Sequence, residues 1–215
     1  AQPNSLFGIE GRSTAGTLAF LLEDRKLEAG NTYQIPVIAP SGMEAIEGYQ
    51  YTLQVDEALA SLKDVQPMAL TPAHFGTAFA ESGHLTTSWN SNERLAAGQE
   101  LYRLIVQPKV EVRLSELLTV TSRYTPAEGY HEDGRLLDIG LDFGHGSVKG
   151  QPFELYQNQP NPFSEQTQIR FYLPQASEAT LTIQDATGKL LREVQGEYGA
   201  GMHQVDLDLS KLPGV

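Results

Sequence analysis

The chain contains no cysteine among its 215 residues. That excludes disulfides, thiolate metal sites and a cysteine nucleophile, so stability must come from burial. Nothing approaches the roughly 18 consecutive apolar residues of a membrane-spanning helix. The opening Ala1-Gln2-Pro3-Asn4 has no basic region followed by an apolar stretch, so a chain destined for export would be one whose signal peptide has already gone. Basic residues are scarce: 15 Lys and Arg stand against 27 Asp and Glu, a formal charge of −12. A phosphate backbone or anionic lipid surface would be repelled, and nucleic acid is excluded as a partner class. Sustained helical periodicity is absent too, and no internal repeat or low-complexity tract occurs.

What the sequence does contain is alternation with a period of two. In the C-terminal third, Ile169, Phe171 and Leu173 form one apolar set, Leu181 and Ile183 a second, and Val205, Leu207 and Leu209 a third. Gln168, Arg170, Thr180, Thr182, Asp206 and Asp208 lie between them, which predicts antiparallel strands with one wet face. Turn residues separate the sets: Pro174, then Asp185 to Gly188, then Gly199-Ala200-Gly201.

The first 150 residues show longer runs of the same kind. Strands are expected at Thr17 to Glu23, Tyr33 to Ala39, Ile46 to Val55, Leu85 to Trp89, Glu100 to Val106, Leu117 to Thr121 and Leu136 to Phe143, with single helical turns at Asp56 to Leu62 and Ser115 to Leu118. Seven strands are most simply contained in a β-sandwich. The fold class is therefore all-β, two sandwiches in one chain. Glycines 144, 146 and 150 with Pro152 mark the joint, giving a first domain over 1–147, a linker over 148–152 and a second domain over 153–215.

The second domain carries ordered landmarks. Phe153 to Phe163 ends in Pro160-Asn161-Pro162-Phe163; Thr167 to Pro174 follows; then Ala179 to Asp185 with Thr187-Gly188-Lys189; then Gly201-Met202-His203; then Ser210 to Val215, including Gly214. In this order they resemble the type A C-terminal sorting domain of bacterial type IX secretion cargo, an immunoglobulin-like sandwich. The resemblance implies a sorting signal formed by Pro160, Asn161, Pro162, Phe163, Asp185, Gly188, Gly201 and Gly214. It also implies partners in the outer-membrane translocon and its carrier proteins, and localisation at the cell surface or outside the cell. Members usually continue past the Gly-Val step into an aromatic-rich final strand. Here that strand is missing, which predicts a sheet edge open to a partner, a second copy or a tail.

The first domain resembles a cohesin-like jelly-roll sandwich of Bacteroidetes-type surface proteins. Leu27-Glu28-Ala29-Gly30, Ile46 to Leu53, Thr86 to Asn90 and Thr121 to Tyr130 carry this resemblance. It implies adhesion or protein interaction through one sheet face.

No catalytic, cofactor or metal site is assigned. Histidines 74, 84, 131, 145 and 203 are scattered without metal-ligand spacing. His131-Glu132-Asp133-Gly134 with Asp138 or Asp142 reads better as a solvated turn than as a calcium loop. Ser88, Ser122 and His84 lack a nucleophile elbow. Glu111, Glu116, Asp138 and Asp142 supply carboxylate pairs of a kind common in acidic proteins. Tyr49, Tyr51, Trp89 and Asn90 are the candidate ligand face, with Trp89 more simply a core anchor, and Tyr124 and Tyr130 could join Tyr49 and Tyr51 in an aromatic face, although Tyr is equally at home across β-sheets. The function expected is a non-enzymatic cell-surface fragment, an interaction module followed by a sorting domain. The alternative is a carbohydrate-binding module or accessory domain of a secreted glycan-active enzyme, and sheet edges offer a route to self-association.

Overall fold

The computed structural model describes residues 9–11, 16–90, 94–144, 148–163, 166–185 and 187–208, with the backbone alone given for 9–11. The chain is all-β and divides into two compact units, one comprising residues 14–151 and the other residues 152–215 together with 1–13. This corrects the predicted boundaries at both ends. β1 (Ile9–Gly11) belongs with the second unit, because it pairs there.

The larger unit begins with β2 (Thr17–Leu21), β3 (Lys26–Leu27), β4 (Tyr33–Ile38) and the long β5 (Ile46–Val55). Next come β6 (Ala60–Pro67), β7 (Phe75–Gly76), β8 (His84–Asn90) and β9 (Glu100–Pro108). β10 (Val112–Arg113), one helical turn α1 (Leu114–Leu117), β11 (Leu118–Thr121), β12 (Glu128–His131), β13 (Leu136–Asp142) and β14 (Val148–Gly150) complete it. The expected linker at 148–152 is thus partly a strand: Val148, Lys149 and Gly150 pair with Asp142, Leu141 and Gly140. The Lys149 ammonium fixes this strand by donating to the carbonyls of Ser115 and Leu118, at 2.9 and 2.8 Å.

Hydrogen-bonded neighbours run β6-β9-β4-β2-β13-β12-β5-β8-β7, with β11 also on β5 and β14 on β13. β2 lies parallel to β13 and the other pairings are antiparallel. The ladder folds over on itself. β9 and β5 are separated by four strands in it, yet the Tyr51 and Tyr102 hydroxyls they carry meet inside. Alternation explains the closure, since Tyr49, Tyr51, Leu53 and Val55 of β5 point inward with Leu101, Leu104 and Val106 of β9, Ile35 and Val37 of β4 and Phe20 of β2. Large aromatics bury about 150–250 Å² each, several kcal/mol apiece at roughly 25 cal/mol per Å². Phe20 packs edge-on to Tyr49 at 4.9 Å, and Tyr49 stacks on Trp89 at 5.5 Å.

The smaller unit contains β15 (Glu154–Leu155), β16 (Gln166–Leu173), β17 (Ser177–Gln184), β18 (Leu190–Tyr198) and β19 (Gly201–Asp208). One sheet has the order β1-β19-β16-β15, and the other is the β17-β18 hairpin. Phe171, Leu173, Tyr198, Val205 and Leu207 form the core, with Phe163, Ile169, Ala179, Leu181, Ile183 and Val194 packed against them. β19 carries β1 in antiparallel register: Ile9 opposite Val205, Glu10 opposite Gln204, Gly11 opposite His203.

Candidate interaction surface

The inward alternation of β5 leaves Gln50, Thr52 and Gln54 on the opposite face of that strand. Register sets Ser88 of β8 and Glu128 of β12 on either side of Gln50, and Thr86 and Thr121 on either side of Thr52. The row through Thr52 is roofed by the loop between β11 and β12. Thr125 donates its backbone N–H to Thr52 Oγ1 at 3.2 Å, and Thr52 and Thr121 are buried. Ser122 anchors the loop from within: its hydroxyl donates to Gln151 Oε1 and accepts from the Ala127 N–H, both at 2.8 Å.

The same loop delivers Tyr124 to Phe79, which leads into the 3-10 turn Ala80–Ser82. The two rings stack at 3.8 Å with planes 6° apart, while the Tyr124 ring meets His84 edge-on at 5.3 Å. Arg123 lies 5.7 Å from the Tyr124 centroid, within cation–π range. Phe79 is 42% and Tyr124 38% exposed, a large aromatic area to leave in water. In the row through Gln50, Ser88 is exposed, Gln50 half-buried and Glu128 buried. Tyr130 is 38% exposed, donates its hydroxyl to Glu128 Oε2 at 2.7 Å and accepts from Gln50 Nε2 at 3.4 Å. Aromatic edges, an amide and hydroxyls thus lie on this face beside the Arg123 guanidinium.

Three members of the predicted ligand face are elsewhere. Tyr49, Tyr51 and Trp89 are 1%, 0% and 3% exposed, turned into the core by the strand alternation that made them look like a stripe. This corrects their assignment as a ligand face and leaves Trp89 as a core anchor. Asn90, the fourth, is exposed and lines an open cavity of about 570 Å³ with Glu44, Glu47, Arg94 and Glu132. Phe79, Arg123, Tyr124 and Tyr130 build the exposed aromatic surface instead. Phe79 was overlooked because it lies outside any alternating run.

The other candidate clusters are committed to structure. Asp133, at the tip of the β12–β13 hairpin, accepts from the Arg135 backbone N–H at 3.0 Å and side chain at 2.6 Å, and lies 2.9 Å from His131 Nδ1. Among the described residues, no group of three or more His, Asp or Glu is placed to hold a metal ion. His84 Nδ1 is engaged by the Ser82 carbonyl, and the Ser122 hydroxyl by Gln151 and Ala127.

In the smaller unit the motif residues occupy structural joints. Both Gln159-Pro160 and Asn161-Pro162 are cis. The Pro160 carbonyl accepts from Asn158 Nδ2 at 3.1 Å and from Thr167 Oγ1 at 3.2 Å, which fastens the turn to β16. Phe163 packs against the core, whereas Pro160, Asn161 and Pro162 are exposed. Asp185 closes the β17–β18 turn: its Oδ1 accepts from Thr187 Oγ1 at 2.6 Å, Thr187 N at 2.8 Å and Lys189 N at 3.0 Å, while Gly188 N donates to the Asp185 carbonyl at 2.9 Å. The Thr187 hydroxyl, with the backbone donors of Lys189 and Thr187, holds this carboxyl below its ordinary range. Gly201 opens β19 opposite Leu173. Gly214 lies outside the described residues.

Comparison with known proteins returned no matching family model and no matching curated protein. Among solved structures, a cohesin in a type I cohesin–dockerin complex from Clostridium thermocellum aligns at 16% identity and TM-score 0.47, covering 62% of this chain and 94% of that one. The seventh ScaB type I cohesin from Pseudobacteroides cellulosolvens aligns at 14% identity and TM-score 0.44, covering 64% and 92%. CaCohA2 from Clostridium acetobutylicum aligns at 15% identity and TM-score 0.41, covering 63% and 85%.

Proposed function

We propose that this chain is a non-enzymatic part of an exported cell-surface protein, in which residues 14–151 bind a partner protein and the unit containing 152–215 is a type IX sorting domain. The observation that carries the first half is the exposed aromatic surface of Phe79, Tyr124 and Tyr130, held rigid by stacking and hydrogen bonds on a sandwich whose remaining large aromatics are mostly buried. Rigid aromatics lose little entropy on docking and dominate interface energetics. The solved cohesins include complexes with dockerins, so a dockerin-like module is the first partner to try.

The second half is supported by the ordered motif residues, of which Pro160, Phe163, Asp185, Gly188 and Gly201 shape the turns and strand start of one small unit. Recognition there is of folded shape, by an outer-membrane translocon and its carriers.

The test has two arms. The full chain behind an export leader is expressed in a type IX-competent host beside a version ending at Gln151; the full chain is expected on the surface and the truncated one in the periplasm. Retention of both would remove the sorting assignment. Separately, the purified chain is presented to a dockerin panel and a glycan array. Protein binding abolished by Phe79→Ala with Tyr124→Ala supports the interaction module, and specific glycan binding or turnover would favour the carbohydrate reading.

A further inference from the structure

β1 comes from the opposite end of the sequence to the strand it pairs with, and its three register pairs with β19 are all backbone ladder. The acceptor has its own support. β19 pairs with β16 along its whole length, from Gly201 opposite Leu173 to Asp208 opposite Gln166, and Val205 and Leu207 are buried against Phe171 and the residues of β17 and β18. The edge is therefore anchored from its inner side by contiguous chain, while its outer side takes a segment that residues 12–16 tie to β2 in the other unit.

Ladder hydrogen bonds depend on local geometry and not on which copy supplies the donor. The chain's own β1 is favoured over that of another copy through its effective concentration, which for tethered elements is typically up to about mM. We propose that the outer edge of β19 is a strand-acceptor site for residues 9–11 of a second copy of this chain. The N-terminal segment of one molecule then adds to the β19 sheet of another. Exchange competes with self-pairing once the concentration of copies approaches that effective value. The chosen occupant is the one whose register with the edge is already defined, Ile9-Glu10-Gly11 against Val205-Gln204-His203. The inference is independent of the sorting assignment, since it needs only the edge and the strand.

The absence of cysteine makes the test direct. Two full-length chains are prepared, Glu10→Cys and Gln204→Cys, a pair directly opposite in the register. They are mixed at increasing concentration, oxidised and resolved without reductant, the mixed dimer being distinguished from same-chain dimers by a mass tag. Gln195→Cys, on the separate β17-β18 sheet, replaces Gln204→Cys as control. The mixed dimer is expected at roughly tenfold the control yield, because pairing raises the local thiol concentration. Adding Gly11→Pro to the Glu10→Cys chain puts into β1 a residue that cannot donate to a ladder and should bring the yield down to control level. A yield equal to the control, or one that survives the proline, would overturn the proposal; far-UV circular dichroism confirms that each variant is folded.

Discussion

The hydroxyls of Tyr51 and Tyr102 meet at 2.6 Å inside the larger sandwich, joining β5 to β9 across the fold of the sheet. Both side chains are wholly buried.

Alkali should reveal the pair. Burial pushes Tyr102 up to about 12, and burial also raises Tyr51 and Tyr49 well above 10.0. The unfolded chain, whose tyrosines ionise near 10, binds fewer protons than the folded one above that pH. Stability from these groups is thus full below about pH 10 and declines as pH rises toward 12. Ultraviolet titration is expected to show Tyr49, Tyr51 and Tyr102 ionising late, together with unfolding. Normal titration of these tyrosines in the folded protein would contradict the buried placement.

Single removal of either hydroxyl strands its partner. Tyr51→Phe or Tyr102→Phe should each cost about 1–3 kcal/mol, and the double variant less than the sum of the two. Urea midpoints of the four proteins measure this, and strict additivity would mean the hydroxyls do not act together.

Trp89 is the sole tryptophan, which makes its environment readable. Its emission should be blue-shifted and resistant to iodide, unchanged by sugars, and Trp89→Ala should lose about 3–5 kcal/mol. A red, readily quenched spectrum would restore Trp89 to the surface.

Gly83 should tolerate no side chain. It has φ +70, and an added Cβ would lie 2.4 Å from the Val55 carbonyl, whereas at Gly134, with φ +83, nothing lies within 4 Å. Gly83→Ala is expected to destabilise by about 3 kcal/mol or more and Gly134→Ala by about 1 kcal/mol. Equal losses in thermal unfolding would show that backbone conformation alone sets the penalty.

Asp185 holds its turn as a carboxylate. Its folded value is depressed by Thr187 and Lys189, so its contribution is present above 3.8 and is lost as pH falls through the lower folded value. Carbon-detected NMR should find it titrating below 3.8, and Asp185→Ala should speed amide exchange at Thr187 and Lys189. Unchanged exchange would mean the turn closes without the carboxyl.

Strands with a clean apolar alternation were legible in advance. β2, β4, β5, β8, β9, β11 and β13 overlie the seven predicted runs, and β16, β17 and β19 the three predicted sets. β6 and β18 were not foreseen. Lys63 and Asp64 sit beside a register shift in β6, and Gly196 with Arg192, Glu193 and Glu197 breaks up the apolar signal of β18. The segment Asp56 to Leu62, expected as a helical turn, enters β6 at Ala60. Pairing with β9, a long-range event, decides that segment.

The sequence by itself determined the all-β class and the strands that carry a clean apolar alternation, because a period of two is local and survives any arrangement of neighbours. It did not determine which face of β5 and β8 is dry. Tyr49, Tyr51 and Trp89 make an aromatic stripe in either case, and only the closure that brings Tyr51 to Tyr102 turns that stripe inward, leaving the surface to Phe79, Tyr124 and Tyr130. Nor did it assign Ile9–Gly11 to β19, because hydrogen-bond partners distant in the chain are chosen by the edge the rest of the fold presents.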